Sequence, residues 1–204
     1  MVILYSDLFF EVVIMNVCVY GASSSAIDER YISAAYDLGL RLAQRGHGMV
    51  FGGGARGLMG AAARGVSSQG GSIIGVAPRF FDIEGVLFEK CTEFVYTDTM
   101  RERKQIMEDR SDAFIVLPGG IGTMEEFFEI LTLKQLGRHR KAITILNTNG
   151  YYDNIEALFK NSVEKKFMSE SFYSLYAMFS EPDALIDYIE GYDPDSAVTE
   201  TSKF

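Results

Sequence analysis

The stretch from Asp112 to Glu126, DAFIVLPGGIGTMEE, most constrains what this chain can fold into. Ala113 to Leu117 is a short apolar run between an aspartate and a proline, the pattern of a strand covered on both faces of a parallel sheet. Pro118 ends it. Gly119, Gly120 and Gly122 are expected to allow positive φ and close approach of the backbone to a ligand. The helix that follows aims its unpaired N–H groups and positive dipole end at the same spot, which outlines an anion site. The helix is expected to begin at Thr123, and because Thr123 and Glu126 stand at capping-box spacing, Glu126 is either a cap reaching back to Thr123 or a functional carboxylate.

The same order of strand, glycine turn and helix recurs along the chain. Asn16 to Tyr20 is a strand ending in Gly21-Ala22-Ser23-Ser24-Ser25, and Asp28 then caps a helix running to about Arg45. His47 to Phe51 leads through Gly52-Gly53-Gly54-Ala55-Arg56-Gly57 into a second helix. Ser72 to Val76, ending at Pro78, and Cys91 to Thr97 read as further strands, with 79–90 between them as a loop or lid. A helix from Thr99 to Arg110 precedes the opening stretch. Lys141 to Leu146, a helix from Tyr152 to about Lys166, Tyr176 to Phe179 and Pro182 to Ile189 complete the series. This alternation predicts an α/β fold: a Rossmann-like, doubly wound, mostly parallel sheet with helices on both faces and ligands at the carboxyl ends of the strands.

At 204 residues and 48% hydrophobic, the chain suits one nucleotide-binding catalytic domain over 15–190. Residues 1–14 read either as a dispensable extension or as sequence ahead of a natural start at Met15, and 191–204 as a flexible tail. The first segment is apolar but broken by Asp7 and Glu11, and fits neither a signal peptide nor a membrane span. A net charge of −9 argues against nucleic-acid and anionic-membrane surfaces, which call for basic stripes. Two cysteines, Cys18 and Cys91, make no disulfide framework and suit a cytoplasmic setting; His47 and His139 stand alone, so no metal is expected.

Gly52, Gly54 and Gly57 satisfy a G-x-G-x-x-G fingerprint. It falls on the second strand, however, and the next strand ends in Ala77-Pro78-Arg79 with no acidic residue for a ribose 2′-hydroxyl, so a nicotinamide dinucleotide is not expected. In the helix from Thr99, Met100, Arg103, Lys104 and Met107 follow i, i+3, i+4, i+7 spacing, which turns Arg103 inward with two methionines expected to be buried. By itself that arginine either lies over core surface or pairs with a glutamate. Glu125 and Glu126 suit the helix dipole but repel a phosphate beside them. The glycine N–H groups and Thr123 therefore suit phosphate, and the carboxylates suit a sugar that becomes cationic when a ribosyl C–N bond breaks.

Pro118-Gly119-Gly120-Ile121-Gly122-Thr123-Met124-Glu125-Glu126 is PGGxGTxxE. With Arg103-Lys104 and Gly52-Gly53-Gly54…Gly57-Leu58-Met59-Gly60 before it, the chain resembles the Lonely Guy family of cytokinin riboside 5′-monophosphate phosphoribohydrolases over about 16–190. Members have often been labelled lysine decarboxylases, a reaction that needs pyridoxal phosphate and a Schiff-base lysine with no evident candidate here. The resemblance implies cofactor-free hydrolysis of purine nucleoside 5′-monophosphates, N6-modified adenylates included, to free base and ribose 5-phosphate. It places catalysis on Arg103 and Glu126. Substrate contacts fall on Lys104, Gly119, Gly120, Ile121, Gly122, Thr123, Met124, Glu125 and Thr132, with Gly53, Gly54 and Glu84 as further contacts. Met100-Arg101 stands where the family commonly has Met-His. The resemblance also implies a homodimer with sites near the subunit interface. The rival expectation is a nucleotide-binding module of the same fold without turnover.

Overall fold

The computed structural model describes residues 14–196; 1–13 of the expected extension and 197–204 of the expected tail lie outside the described residues. The strands are β1 (Asn16–Tyr20), β2 (Gly48–Phe51), β3 (Ile73–Pro78), β4 (Glu93–Thr97), β5 (Ala113–Val116), β6 (Ala142–Leu146) and β7 (Ala177–Phe179). They pair in parallel throughout, in the order β4-β3-β2-β1-β5-β6-β7. The chain winds outward from β1 first in one direction and then, from β5, in the other. The helices that follow β1 and β5 therefore run to opposite faces from the carboxyl edge, the place where doubly wound sheets bind ligands.

The helices are α1 (Glu29–Gln44), α2 (Gly57–Ser68), α3 (Met100–Asp109), α4 (Ile121–Gln135), α5 (Asp153–Glu164) and α6 (Pro182–Glu190). Strand alternation divides the core in two. Val17 and Val19 of β1 pack with Leu38 and Leu42 of α1, Leu58 and Val66 of α2, and Leu185 and Ile189 of α6. Cys18 and Tyr20 face the other way, toward Met107 of α3, Phe127 and Ile130 of α4, and Phe159 of α5. Every residue of β2, β3, β5 and β6 is buried, so these strands read as apolar runs rather than alternating ones. Asp28 caps α1 as expected, its carboxylate accepting from the Arg30 N–H.

Three expectations need correction. First, α4 begins at Ile121 with Gly120 as its cap, so Thr123 lies inside the first turn and no capping box forms there. The box is instead on α3: Thr99 accepts from the Glu102 N–H at 3.2 Å, and the Glu102 carboxylate accepts from the Thr99 N–H at 3.2 Å. Second, Met107 is buried but Met100 is 40% exposed, because it sits in the opening turn of α3, beyond the edge of the core. Third, Gly119, Gly120 and Gly122 are absent from the positive-φ residues, so backbone strain does not explain them.

Candidate active site

The inward face of α3 carries Arg103 beneath the carboxyl edge of the sheet. Its Nε donates to the Val76 carbonyl of β3 at 3.2 Å, and its Nη1 donates to Glu126 Oε1 of α4 at 2.8 Å. Both side chains are under a tenth exposed, a buried ion pair between residues 23 apart in sequence. Gly52 makes room for it: a Cβ there would stand 1.8 Å from Arg103 Nη2. Burial pushes the Glu126 carboxyl above the ordinary glutamate range, and the Arg103 guanidinium only partly offsets this. Beneath the pair, burial also raises the Cys18 thiol to about 12 and the Tyr20 hydroxyl well above its usual value. Both β1 groups stay neutral, leaving Arg103 as the principal counter-charge to Glu126.

Lys104 points to the outer side of α4, where its Nζ pairs with Glu125 and, at 2.8 Å, with Glu129. Burial pulls this amine down, but the two carboxylates outweigh it and keep its pKa above the usual lysine value. Glu125 is thus engaged by Lys104, while Glu126 alone turns inward. Thr123 is buried against Gly119, where an added Cβ would lie 2.1 Å from Thr123 Oγ1. Met124 is half-buried, and Ile121 is exposed at the tip of the helix. Thr132 is exposed, its hydroxyl donating to the Phe128 carbonyl two turns beyond the glycines.

The two glycine-rich turns differ in what they leave open. In the turn before α2, the N–H groups of Leu58 and Met59 both donate to the Ala22 carbonyl. Gly57, at φ 61°, lets the chain pass so close that a Cβ would lie 2.3 Å from that same oxygen. The G-x-G-x-x-G fingerprint therefore serves the packing of two loops and the seating of Arg103. At α4 the first N–H groups have no earlier turn to bond. A Cβ at Gly120 or at Gly122 would meet nothing within 4 Å. The chain itself does not demand glycine at either position.

Gly53, at φ 76°, packs on Phe94, and its carbonyl accepts from the Phe88 N–H at 2.8 Å. Together with Ala55 N–H on the Val86 carbonyl and the antiparallel bridge from Gly54 to Leu87, this bond ties residues 86–88 to the glycine turn. That half of the expected lid is anchored. Glu84 lies exposed in the other part, beside a cavity of about 270 Å³ that Phe94 and Tyr96 also line, and takes no part in the bonds that hold Arg103 and Glu126. Among the described residues no group of histidine, cysteine, aspartate or glutamate side chains could hold a metal ion.

A family model described as "possible lysine decarboxylase" matches residues 59–189. A probable cytokinin riboside 5′-monophosphate phosphoribohydrolase of Oryza sativa subsp. japonica is 40% identical over 179 residues, covering 88% of this chain and 79% of its own. The chain belongs to this phosphoribohydrolase family. A cytokinin riboside 5′-monophosphate phosphoribohydrolase of Arabidopsis thaliana is 36% identical over 179 residues, or 88% of this chain and 78% of its own. The molybdenum cofactor carrier protein of Chlamydomonas reinhardtii superimposes with a TM-score of 0.66 at 21% identity, over 87% and 96% of the two chains, and shares the fold.

In this member of the family, the sequence reading missed the residues that brace the glycine loop from behind. Tyr151 and Tyr152 donate their hydroxyls to the Gly119 and Leu117 carbonyls, each at 2.8 Å, and Ala22 N–H donates to the Pro118 carbonyl at 3.1 Å. A crevice of about 230 Å³ opens on that side, walled by Ser24, Ile27, Tyr31 and Tyr151. The tyrosine doublet after Asn149-Gly150 was the available signal, since two hydroxyls at a strand's carboxyl end need acceptors.

Proposed function

We propose that the protein hydrolyses the N-glycosidic bond of purine nucleoside 5′-monophosphates, cytokinin riboside 5′-monophosphates and AMP among them, to free base and ribose 5-phosphate. The observation that carries this reading is the buried Arg103–Glu126 pair beside a helix start whose Gly120 and Gly122 the chain does not itself need. The relatives named for this reaction, 36–40% identical over most of the chain, support it.

In this reading the N–H groups of Gly119 to Thr123 and the dipole of α4 hold the 5′-phosphate. The bond from C1′ to the base nitrogen breaks with its electron pair going to the base, and positive charge develops on the ribosyl ring. Glu126 stabilises that charge and accepts the proton of the water that adds at C1′, and that proton passes on to the departing base nitrogen, which releases free base and restores the carboxylate. Its buried setting strengthens the interaction, because little solvent screens it. Arg103 holds Glu126 in place and assists departure of the base. Lys104 and Glu125 form the outer wall, with Lys104 kept cationic for the substrate's anionic end. An amine held charged in this way does not suit condensation with a carbonyl, which a decarboxylase lysine must perform. Lys134, whose pKa burial lowers to about 8, lies wholly inside the protein, so it offers a carbonyl compound no approach.

We further infer a cytoplasmic homodimer, supported by the exposed apolar side chains of Phe128 on α4 and Leu158 on α5. A monomer mass by sedimentation would overturn the dimer. The reaction itself is tested by incubating the protein with AMP and with N6-isopentenyl-AMP and resolving free base by chromatography. Release by wild type and none by Glu126→Gln is expected. Binding without release would make the protein a nucleotide-binding module instead.

A further inference from the structure

Three successive carbonyl groups at the end of β5 each accept a hydrogen bond from outside the loop: Leu117 from Tyr152, Pro118 from Ala22 and Gly119 from Tyr151. A trans peptide holds the C=O of one residue and the N–H of the next in one rigid plane, pointing in opposite directions, and no cis bond interrupts the described chain. Fixing the Pro118 and Gly119 oxygens therefore also fixes the Gly119 and Gly120 N–H groups, turned away from Ala22 and from Tyr151. On its far side Gly120 is held only through its carbonyl, which accepts from the Met124 N–H at 3.0 Å as α4 begins, so the tilt of the Gly119–Gly120 peptide itself is set by the Tyr151 bond. Gly120 is exposed, carries no side chain, and has open space around it. The Tyr151 ring is itself held edge-on against Tyr152 at 5.0 Å and Tyr31 at 6.1 Å between centroids, so its hydroxyl has a defined place.

We propose that Tyr151 is a positioning residue for substrate phosphate: its hydroxyl sets the Gly119–Gly120 peptide so that the Gly120 N–H is already aimed at the anion before binding. The proposal rests on the reading of Gly119 to Thr123 as the phosphate loop. Preorganised donors bind without spending energy on rotation at the moment of contact, so losing the hydroxyl weakens phosphate recognition and leaves the ring packing in place.

The test is Tyr151→Phe, with calorimetric titration of ribose 5-phosphate and of adenosine, steady-state kinetics on AMP, and a melting curve. The expected result is a rise of about tenfold in the Kd for ribose 5-phosphate and in the KM for AMP, the cost of misaiming one charge-assisted hydrogen bond. The kcat should stay within about twofold, and adenosine affinity and melting temperature should not move. A purely structural role would weaken both ligands together or lower the melting temperature. Equal ribose 5-phosphate affinity in the two proteins, equal losses for both ligands, or no binding of ribose 5-phosphate by wild type would each overturn the proposal. If wild type fails to turn over AMP, the hydrolase reading falls, while the ribose 5-phosphate comparison still decides the role of Tyr151.

Discussion

Replacing Gly122 with alanine pits helix stability against ligand approach at a single residue. Gly122 lies in the first turn of α4, and an alanine Cβ there meets no atom of the chain within 4 Å. Alanine is favoured over glycine within a helix by about 0.5–1 kcal/mol, with the lower end apt for a first turn. In a chain of this size that raises the melting temperature by roughly 1–3 °C. If phosphate comes down onto these N–H groups, the same methyl stands in its path. Losing one hydrogen bond to a charged group is worth about 1.5–3 kcal/mol, or roughly 10- to 150-fold in affinity. Gly122→Ala should therefore melt higher than wild type yet bind ribose 5-phosphate, and use AMP, tens of times more weakly. Gly119→Ala is the contrast, since its Cβ would lie 2.1 Å from Thr123 Oγ1 and should harm stability and binding together. Differential scanning calorimetry and isothermal titration measure the two quantities. A Gly122→Ala protein that melts higher but binds ribose 5-phosphate like wild type would refute the phosphate loop; one that melts lower would refute the placement of the helix start.

Glu126→Gln preserves shape and a bond to Arg103 but removes the charge, and should lower kcat by about 10²- to 10⁴-fold. Glu126→Ala also leaves the Arg103 charge buried and unpaired, which should destabilise the protein by about 3–5 kcal/mol in urea titration. Because burial lifts Glu126, the acidic limb of the wild-type kcat profile should lie above the ordinary glutamate range and be missing from the residual activity of Glu126→Gln. The sign for stability is opposite: the folded chain holds this proton more tightly than the unfolded one, so the contribution is present at low pH and lost as pH rises through the folded value. Thr99→Ala removes the cap of α3 and should cost about 1 kcal/mol, read as a melting temperature lower by roughly 2–4 °C. Lys134→Met replaces an amine with no hydrogen-bond partner, lying 4.8 Å over the Tyr192 ring, and should stabilise the protein by on the order of 1 kcal/mol. That gain should shrink as pH rises from about 8 toward 10.5, because the wild-type amine sheds in the folded state a proton that the unfolded chain still holds.

The layered fold was legible because each fully buried strand leaves a compact apolar run, and all of them but β3 lead through a turn into a helix. The inward turn of Arg103 was legible from its spacing to Met107, but its partner was not: helical periodicity tells which way a side chain faces and nothing about what waits there. The false cap at Thr123 arose because threonine followed three residues later by glutamate fits two structures. In one the glutamate bonds the backbone; here it is claimed by an arginine that no local pattern reveals. The same signature, not singled out in the sequence, does form a capping box at Thr99 and Glu102. Gly57 shows the opposite case, a glycine of a ligand-binding fingerprint that is needed by a neighbouring loop instead. Tyr151 and Tyr152 escaped notice because their acceptors are main-chain oxygens more than thirty residues away.

Ala22 donates its N–H to Pro118 while its carbonyl accepts from Leu58 and Met59, so one peptide segment clasps the glycine turn of α2 with one hand and that of α4 with the other. Nothing in its side chain contributes to this, and an alanine scan would pass over the residue in silence. A proline at 22 would remove the donor and free one loop from the other. An amide-to-ester replacement at the same nitrogen would do so with almost no change in shape. The most connected residue between the two turns is therefore one whose importance ordinary mutagenesis is built to overlook.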